Sequence, residues 1–164
     1  RVVRPSAKTR RMIAIRAERP EDIAAIRQVN LRAFGAPGEA DLVDNLRAAR
    51  KVVVSLVAEH EGQVVGQIMH TYEWSDWRNA QFWWIQSVYV APRWRQQGVY
   101  RSMHHTIVDL ARSRADVCGI RLYVEGDNAV AKQVYDRVGL CASTYRIYES
   151  DFVLPSPHAN EQQP

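Results

Sequence analysis

Apolar positions along the chain switch between two periods. Met12 to Arg16 and Val52 to Ala58 are short apolar runs, and Gln63 to Tyr72 and Phe82 to Val90 are longer ones rich in β-branched and aromatic residues. Such runs predict strands. Between the first two, Ile23, Ile26, Val29 and Ala33 recur at helical spacing behind Pro20-Glu21-Asp22. Proline at the first position and acids in the first turn mark a helix start there. A second helix is predicted after Ala36-Pro37-Gly38, with Leu42, Leu46 and Ala49 on one face.

The second half of the chain alternates strand and helix. Glu59-His60-Glu61-Gly62 reads as a turn, so the flanking strands form an antiparallel hairpin, and Trp74 to Ala80 reads as a polar, aromatic loop. Val99, Met103, Ile107, Leu110 and Ala111 form a helical stripe, after which Ile120, Leu122 and Val124 alternate as a fifth strand. That unit implies a parallel, right-handed crossover. Asn128 opens a further helix with Ala131, Val134, Tyr135 and Val138 on one face, Gly139 closes it, and Thr144 to Glu149 is predicted as a last β segment. The order βααβββαβαβ predicts an α+β fold, a mixed sheet flanked by helices.

At 164 residues, 46% apolar and 24% charged, the chain has room for one globular domain, expected over residues 12–152. Residues 1–11 carry Arg1, Arg4, Lys8, Arg10 and Arg11 with no acid, more than the whole net charge of +4. This arm is expected to be a solvated, flexible leader and nucleic acid is not an expected partner; residues 153–164 are an expected flexible tail. No apolar run approaches the roughly 20 residues of a membrane-spanning helix, so no membrane partner is expected. Cys118 and Cys141 form no CxxC pair, and Arg1 to Arg11 holds no apolar core of a signal peptide. The expected compartment is the cytoplasm. His104 and His105 diverge by about 100° on a helix and cannot chelate one ion together, so no metal is expected.

Chemistry concentrates in one segment, Ser87-Val88-Tyr89-Val90-Ala91-Pro92-Arg93-Trp94-Arg95-Gln96-Gln97-Gly98-Val99-Tyr100-Arg101. A strand ends, a loop with arginines follows, Gly98 lets the backbone turn, and a helix begins at once. The free N–H groups of such a helix start form an anion cradle suited to a pyrophosphate, with Arg93, Arg95 and Arg101 adding charge. A solvated turn has the same local signature.

The order and spacing of this segment resemble motif A of the GNAT superfamily, the acyl-CoA-dependent N-acyltransferases, whose pattern is V-x-V-x-P-x-x-R/Q-x-x-G-x-G/A. It runs here through Val88, Val90, Pro92, Arg95 and Gly98, with Tyr100 where the final small residue is usual. Tyr100 must therefore point its ring away or crowd the phosphates. Leu122 to Ala129 resembles the fifth strand and motif B, with Tyr135 seven residues after Asn128 on the same helix face. The resemblance covers about residues 12–150. It implies strands four and five splaying apart beyond Val88 to Val90, and acetyl-CoA as co-substrate. Pantetheine would bond the Val88 and Val90 backbone with help from Asn128. The binding set it implies is Val88, Tyr89, Val90, Arg95, Gln96, Gln97, Gly98, Val99, Tyr100, Arg101 and Asn128.

The resemblance also implies that Tyr135 protonates the leaving thiolate and that a backbone N–H near Val88 holds the oxyanion; a core aromatic would share Tyr135's spacing. Relatives place a glutamate base in the fourth strand, but Phe82-Trp83-Trp84-Ile85-Gln86 has no carboxylate and Trp84 fills that position. The remaining base candidates are Glu125, the preferred one, with Glu73, Asp76 and His70. Deprotonating a lysine at pH 7 costs about 4.6 kcal/mol against about 1–1.4 for an α-amino group, which favours a low-pKa amine. Trp74, Trp77, Trp83 and Trp84, with Tyr72 and Phe82, suggest an aromatic substrate pocket; Trp83 and Trp84 fall on opposite faces, so one is core and only the other can line it, while Trp74 and Trp77 suit a substrate or, equally, a homodimer contact. The expected function is N-acetyl transfer from acetyl-CoA to a small-molecule or peptide primary amine by direct attack in a ternary complex. The alternative is a catalytically weak or inactive GNAT-like domain that binds acyl-CoA or a partner.

Overall fold

The computed structural model describes residues 13–148 and 150–153. The basic arm, Met12, Glu149 and residues 154–164 lie outside the described residues. The elements are β1 (Ala14–Ala17), a 3-10 turn (Pro20–Asp22), α1 (Ile23–Phe34), α2 (Gly38–Ala48), β2 (Val54–His60), β3 (Gln63–Ser75), β4 (Ala80–Val90), a second 3-10 turn (Pro92–Trp94), α3 (Val99–Arg112), β5 (Val117–Arg121) and α4 (Ala129–Arg137). One sheet runs in the order β1-β2-β3-β4-β5. Its first three pairings are antiparallel and β4–β5 is parallel, with α3 as the crossover.

Alternation along the central strands sends neighbours to opposite layers. Leu56 and Ile68 join Trp83, Met103 and Ile107 beneath α3, while Val57 and Met69 join Ile26 of α1 and Val43 of α2. The sheet is thus covered on both faces. The start expected at Pro20 is a 3-10 turn because Asp22 folds back, its carboxylate accepting from the Arg19 N–H at 2.8 Å and from Arg16 at 2.6 Å.

Three expectations are corrected. The loop over Trp74 to Ala80 is a long hairpin with a tight turn, where Asp76 accepts from the Trp77 N–H at 2.7 Å and the Asn79 N–H donates to the Asp76 carbonyl at 3.2 Å. The fifth strand is Val117–Arg121, ending before Leu122, because its ladder with β4 runs only from Gln81↔Val117 to Trp84↔Arg121. Gly119 is what lets it come so close: a Cβ there would stand 2.7 Å from the Phe82 ring. Thr144 to Tyr148 form no strand; Tyr145 and Tyr148 are 79% and 94% exposed, since strand propensity is expressed only against a pairing edge and none is laid beside them.

Candidate active site

The end of the β4–β5 ladder creates an opening. Beyond Trp84, β4 continues to Val90 with no β5 neighbour. Against β3, Ile85 pairs with His70 and Ser87 with Met69, leaving Gln86 as one extra residue. Such a bulge bends the strand that carries it. The sheet therefore splays from Trp84, four residues before the Val88 to Val90 position expected from the resemblance.

Strand alternation decides which groups face the wedge. The Ala91 N–H donates to the Val65 carbonyl at 2.9 Å, so the polar groups of Tyr89 point with it toward β3. Those of Val88 and Val90 point the other way, into the opening. Arg95 already uses one: its Nε donates to the Val90 carbonyl at 2.9 Å while its guanidinium lies 5.4 Å over the Tyr89 ring.

The loop that follows sets up a helix start beside the wedge. Trp94 is buried, Gln96 and Gly98 take φ of +60° and +81°, and α3 begins at Val99. The first bond of α3 runs from the Ser102 N–H to the Gly98 carbonyl at 2.9 Å, so the amides of Val99, Tyr100 and Arg101 precede it. A Cβ at Gly98 would meet nothing within 4 Å, so the space before these amides is open. The three arginines are not gathered there. Arg93 lies over Trp94 at 5.3 Å and reaches Gln63 at 3.5 Å, whereas Arg101 is exposed on the first turn of α3. Gln97 donates to the Arg93 carbonyl at 2.6 Å and Gln96 is exposed.

Tyr100 turns inward rather than toward the helix start. Its ring packs against the α3 core, 5.8 Å from His104 and 6.0 Å from Tyr135, and its hydroxyl is buried without a partner among the described residues. Tyr135 is half-buried on α4, and burial holds its phenol pKa above the ordinary value. It is therefore protonated at neutral pH, as a proton donor must be. Asn128 caps α4, its Oδ1 accepting from the Ala131 N–H at 3.0 Å, which leaves the side-chain NH2 for a ligand. The helix closes where the Leu140 N–H donates to the Tyr135 carbonyl and the Gly139 N–H to the Asp136 carbonyl, both at 3.1 Å.

The base candidates separate. His70 is fully buried on the α3 side, 6.5 Å from the Trp83 ring, and burial, aided by the charge of His104, pushes its pKa down to about 3. It is a neutral imidazole at pH 7 and does not reach solvent, so it is not placed to take a proton from an acceptor amine. Glu73 pairs with Arg121 at 3.5 Å, Asp76 is spent on the hairpin turn, and Glu125 is exposed after β5. The tryptophans also separate: Trp83 is core, Trp84 meets Tyr123 edge-on at 4.4 Å on the other face, and Trp74 and Trp77 stay exposed near the hairpin tip, where Ala80 stands about 20 Å along β4 from Gln86. One aromatic wall is not formed.

Sequence reasoning missed a buried polar trio beside the bulge. Gln67 of β3 donates to Ser87 of β4 at 2.7 Å and to Asn30 of α1 at 3.3 Å. Its signal was one glutamine within the apolar run Val64 to Met69.

An open strand edge beside a helix start, with the half-buried phenol of Tyr135 6.0 Å from the Tyr100 ring on the first turn of that helix, suits a long thioester cofactor carrying a pyrophosphate. The profile of the acetyltransferase (GNAT) family matches residues 23–140, most of the chain. This protein is a GNAT acetyltransferase family member. No curated protein matches the chain. Its structure is similar to that of a possible acetyltransferase of Clostridium difficile 630, at 34% identity and a TM-score of 0.74 over 87% of this chain and 99% of that one. A GNAT family acetyltransferase of Brucella melitensis, solved in complex with acetyl-CoA, is 28% identical with a TM-score of 0.64 over 80% and 84% of the two chains. The ribosomal-protein-alanine N-acetyltransferase of Brucella melitensis biovar Abortus 2308, at 15% identity and a TM-score of 0.71 over 86% and 99%, shares the GNAT fold.

Proposed function

We propose that this GNAT domain transfers an acetyl group from acetyl-CoA to the neutral nitrogen of a primary amine, by direct attack within a ternary complex. The observation that carries the reading is the β4 edge at Val88 and Val90, left without a β5 neighbour and followed by a loop that opens α3, whose first-turn Tyr100 lies 6.0 Å from the ring of the protonated Tyr135. The acetyl-CoA complex of the 28%-identical Brucella protein supports the co-substrate. The amides from Gln96 to Arg101, among them Gly98, Val99 and Tyr100, with the Arg95 guanidinium, hold the pyrophosphate. Val88, Val90 and the Asn128 NH2 hold the pantetheine arm, and Tyr89 supports Arg95 with its ring.

In the reaction the amine lone pair attacks the thioester carbonyl, and the backbone N–H at Val88 stabilises the oxyanion. The C–S bond breaks as the carbonyl reforms. Tyr135 gives its proton to the departing sulfur, and the amine nitrogen loses one to water, assisted by Glu125. With no carboxylate on β4, an acceptor that is partly neutral at pH 7 is favoured, in a small molecule or a peptide. Cys118 and Cys141 are unpaired thiols, which fits a reducing cytoplasm. The same missing carboxylate favours a second reading, acyl-CoA binding without turnover. Release of free CoA from acetyl-CoA across a panel of amines separates the two. Turnover with at least one amine, falling about 10²- to 10⁴-fold in Tyr135→Phe with little change in acetyl-CoA KM, is expected. Binding of acetyl-CoA without turnover on any amine would select the second reading.

A further inference from the structure

Position 100 holds a large aromatic where the resemblance implies a residue no larger than alanine. Its ring is not directed at the helix start that would hold phosphates; it leans across to α4 and meets Tyr135 edge-on, with centroids 6.0 Å apart. Among the described residues this is the one ring in contact with Tyr135. α4 buries no residue fully, so few contacts fix the direction of its side chains. Tyr100 is held more firmly: it sits on the first turn of α3, packs against the core and has its hydroxyl out of solvent. That hydroxyl has no partner, which makes the ring, and not the oxygen, the useful part of the side chain.

We infer that Tyr100 is a positioning residue, whose ring fixes Tyr135 in the orientation from which it protonates the leaving sulfur. The inference rests on the acid role proposed for Tyr135. Acid catalysis depends steeply on placement, and a displacement of about 1 Å can cost on the order of 10²-fold. A side chain acting only through Tyr135 should matter only while Tyr135 has its hydroxyl.

The test is a double-mutant cycle read as kcat and acetyl-CoA KM with an amine accepted by the intact chain. Tyr100→Ala should lower kcat about 10- to 100-fold with KM within about threefold, and Tyr100→Phe should stay within about threefold of the parent in both. Added to Tyr135→Phe, Tyr100→Ala should cost nothing further. Should Tyr100→Ala not fold, Tyr100→Leu, which keeps apolar volume but not the ring edge, takes its place with the same expected pattern. Equal losses in both backgrounds, a rise in KM that accounts for the loss, or a Tyr100→Phe variant as poor as Tyr100→Ala would each overturn the positioning role. Undiminished kcat in Tyr135→Phe alone would overturn the acid role and the inference with it. A deep loss in Tyr135→Phe with additive loss on Tyr100→Ala overturns the inference alone. NMR of ring-labelled tyrosines gives a readout that needs no turnover: Tyr100→Ala should shift the Tyr135 ring resonances, and an unmoved Tyr135 would overturn the contact.

Discussion

Around α1, α2 and β1, three arginines each hold two carboxylates. Arg16 joins Asp22 at 2.6 Å to Glu59 at 2.5 Å, Arg27 joins Asp41 at 2.7 Å to Asp44 at 2.6 Å, and Arg47 joins Glu18 at 2.6 Å to Asp44 at 2.8 Å. Around α3 and α4 the polar groups are left over instead. The Tyr100 hydroxyl, the His104 Nδ1 and both nitrogens of His70 are buried with no partner among the described residues. Buried orphans of this kind cost about 1–3 kcal/mol each. In the first region the charges are paired, although the Asn30 Nδ2 of α1 is also buried with no partner among the described residues, while the second, which borders the wedge, keeps more such groups and an open strand edge. A rigid frame beside an unsaturated site is how binding residues are commonly positioned.

The largest expected effect breaks the frame. Arg16→Ala leaves Asp22 nearly buried beside Glu59 with no cation, and should cost about 3 kcal/mol of unfolding free energy in urea titration. The hydrogen bond from Arg16, before any other influence, holds the Asp22 pKa below the usual carboxylate range. A lowered carboxylate pKa contributes stability above its unfolded value and loses it as pH falls through the folded one. The parent should therefore lose this contribution below about pH 4, and the variant should have little of it to lose. A loss under about 1 kcal/mol at pH 7 would break the contrast between the two regions.

His70 tests the other side. Its folded pKa of about 3 lies below the ordinary 6.5, so acidification protonates the unfolded chain first. Stability should fall by about 1.4 kcal/mol per pH unit from this group between roughly pH 6 and pH 4. His70→Leu should remove that slope and keep at least the parent's stability at pH 7; an unchanged acid slope would show that His70 is not buried neutral. The smallest expected effect sharpens the comparison at the wedge. Gly98→Val forces a β-branched residue to φ +81° and should weaken CoA about tenfold by calorimetry, with the unfolding midpoint moved by a few degrees. Full CoA affinity in the folded variant would remove Gly98 from the phosphate loop.

Much of this was legible locally. Pro20, the Asn128 cap, the Gly139 closure and the segment from Val88 to Arg101 carry their signals in adjacent residues, and they stand where spacing placed them. What was not legible depends on distant partners. The first residues of β5 have no alternation to mark them, because Gly119 is chosen by the Phe82 ring across the ladder. The apparent alternation of Leu122 and Val124 has no edge to pair with. The splay point follows from Gln86 having no opposite number on β3, a matter of register between two strands. Likewise the inward direction of Tyr100 depends on the core it packs against, assembled from several strands, and the link of Gln67 to Asn30 and Ser87 on three elements meeting.

The bond from Arg95 to the Val90 carbonyl changes the arithmetic of any ligand that enters the wedge. An amide arriving at Val90 finds its acceptor engaged, so one hydrogen bond is exchanged for another and the net gain there is small. In the proposed acetyl-CoA complex the displaced guanidinium would be free to meet the phosphates, where a charge-assisted bond is stronger. Under that proposal grip would shift along the ligand from the pantetheine end to the nucleotide end. A pantetheine thioester stripped of its phosphates would release Arg95 with nowhere to go.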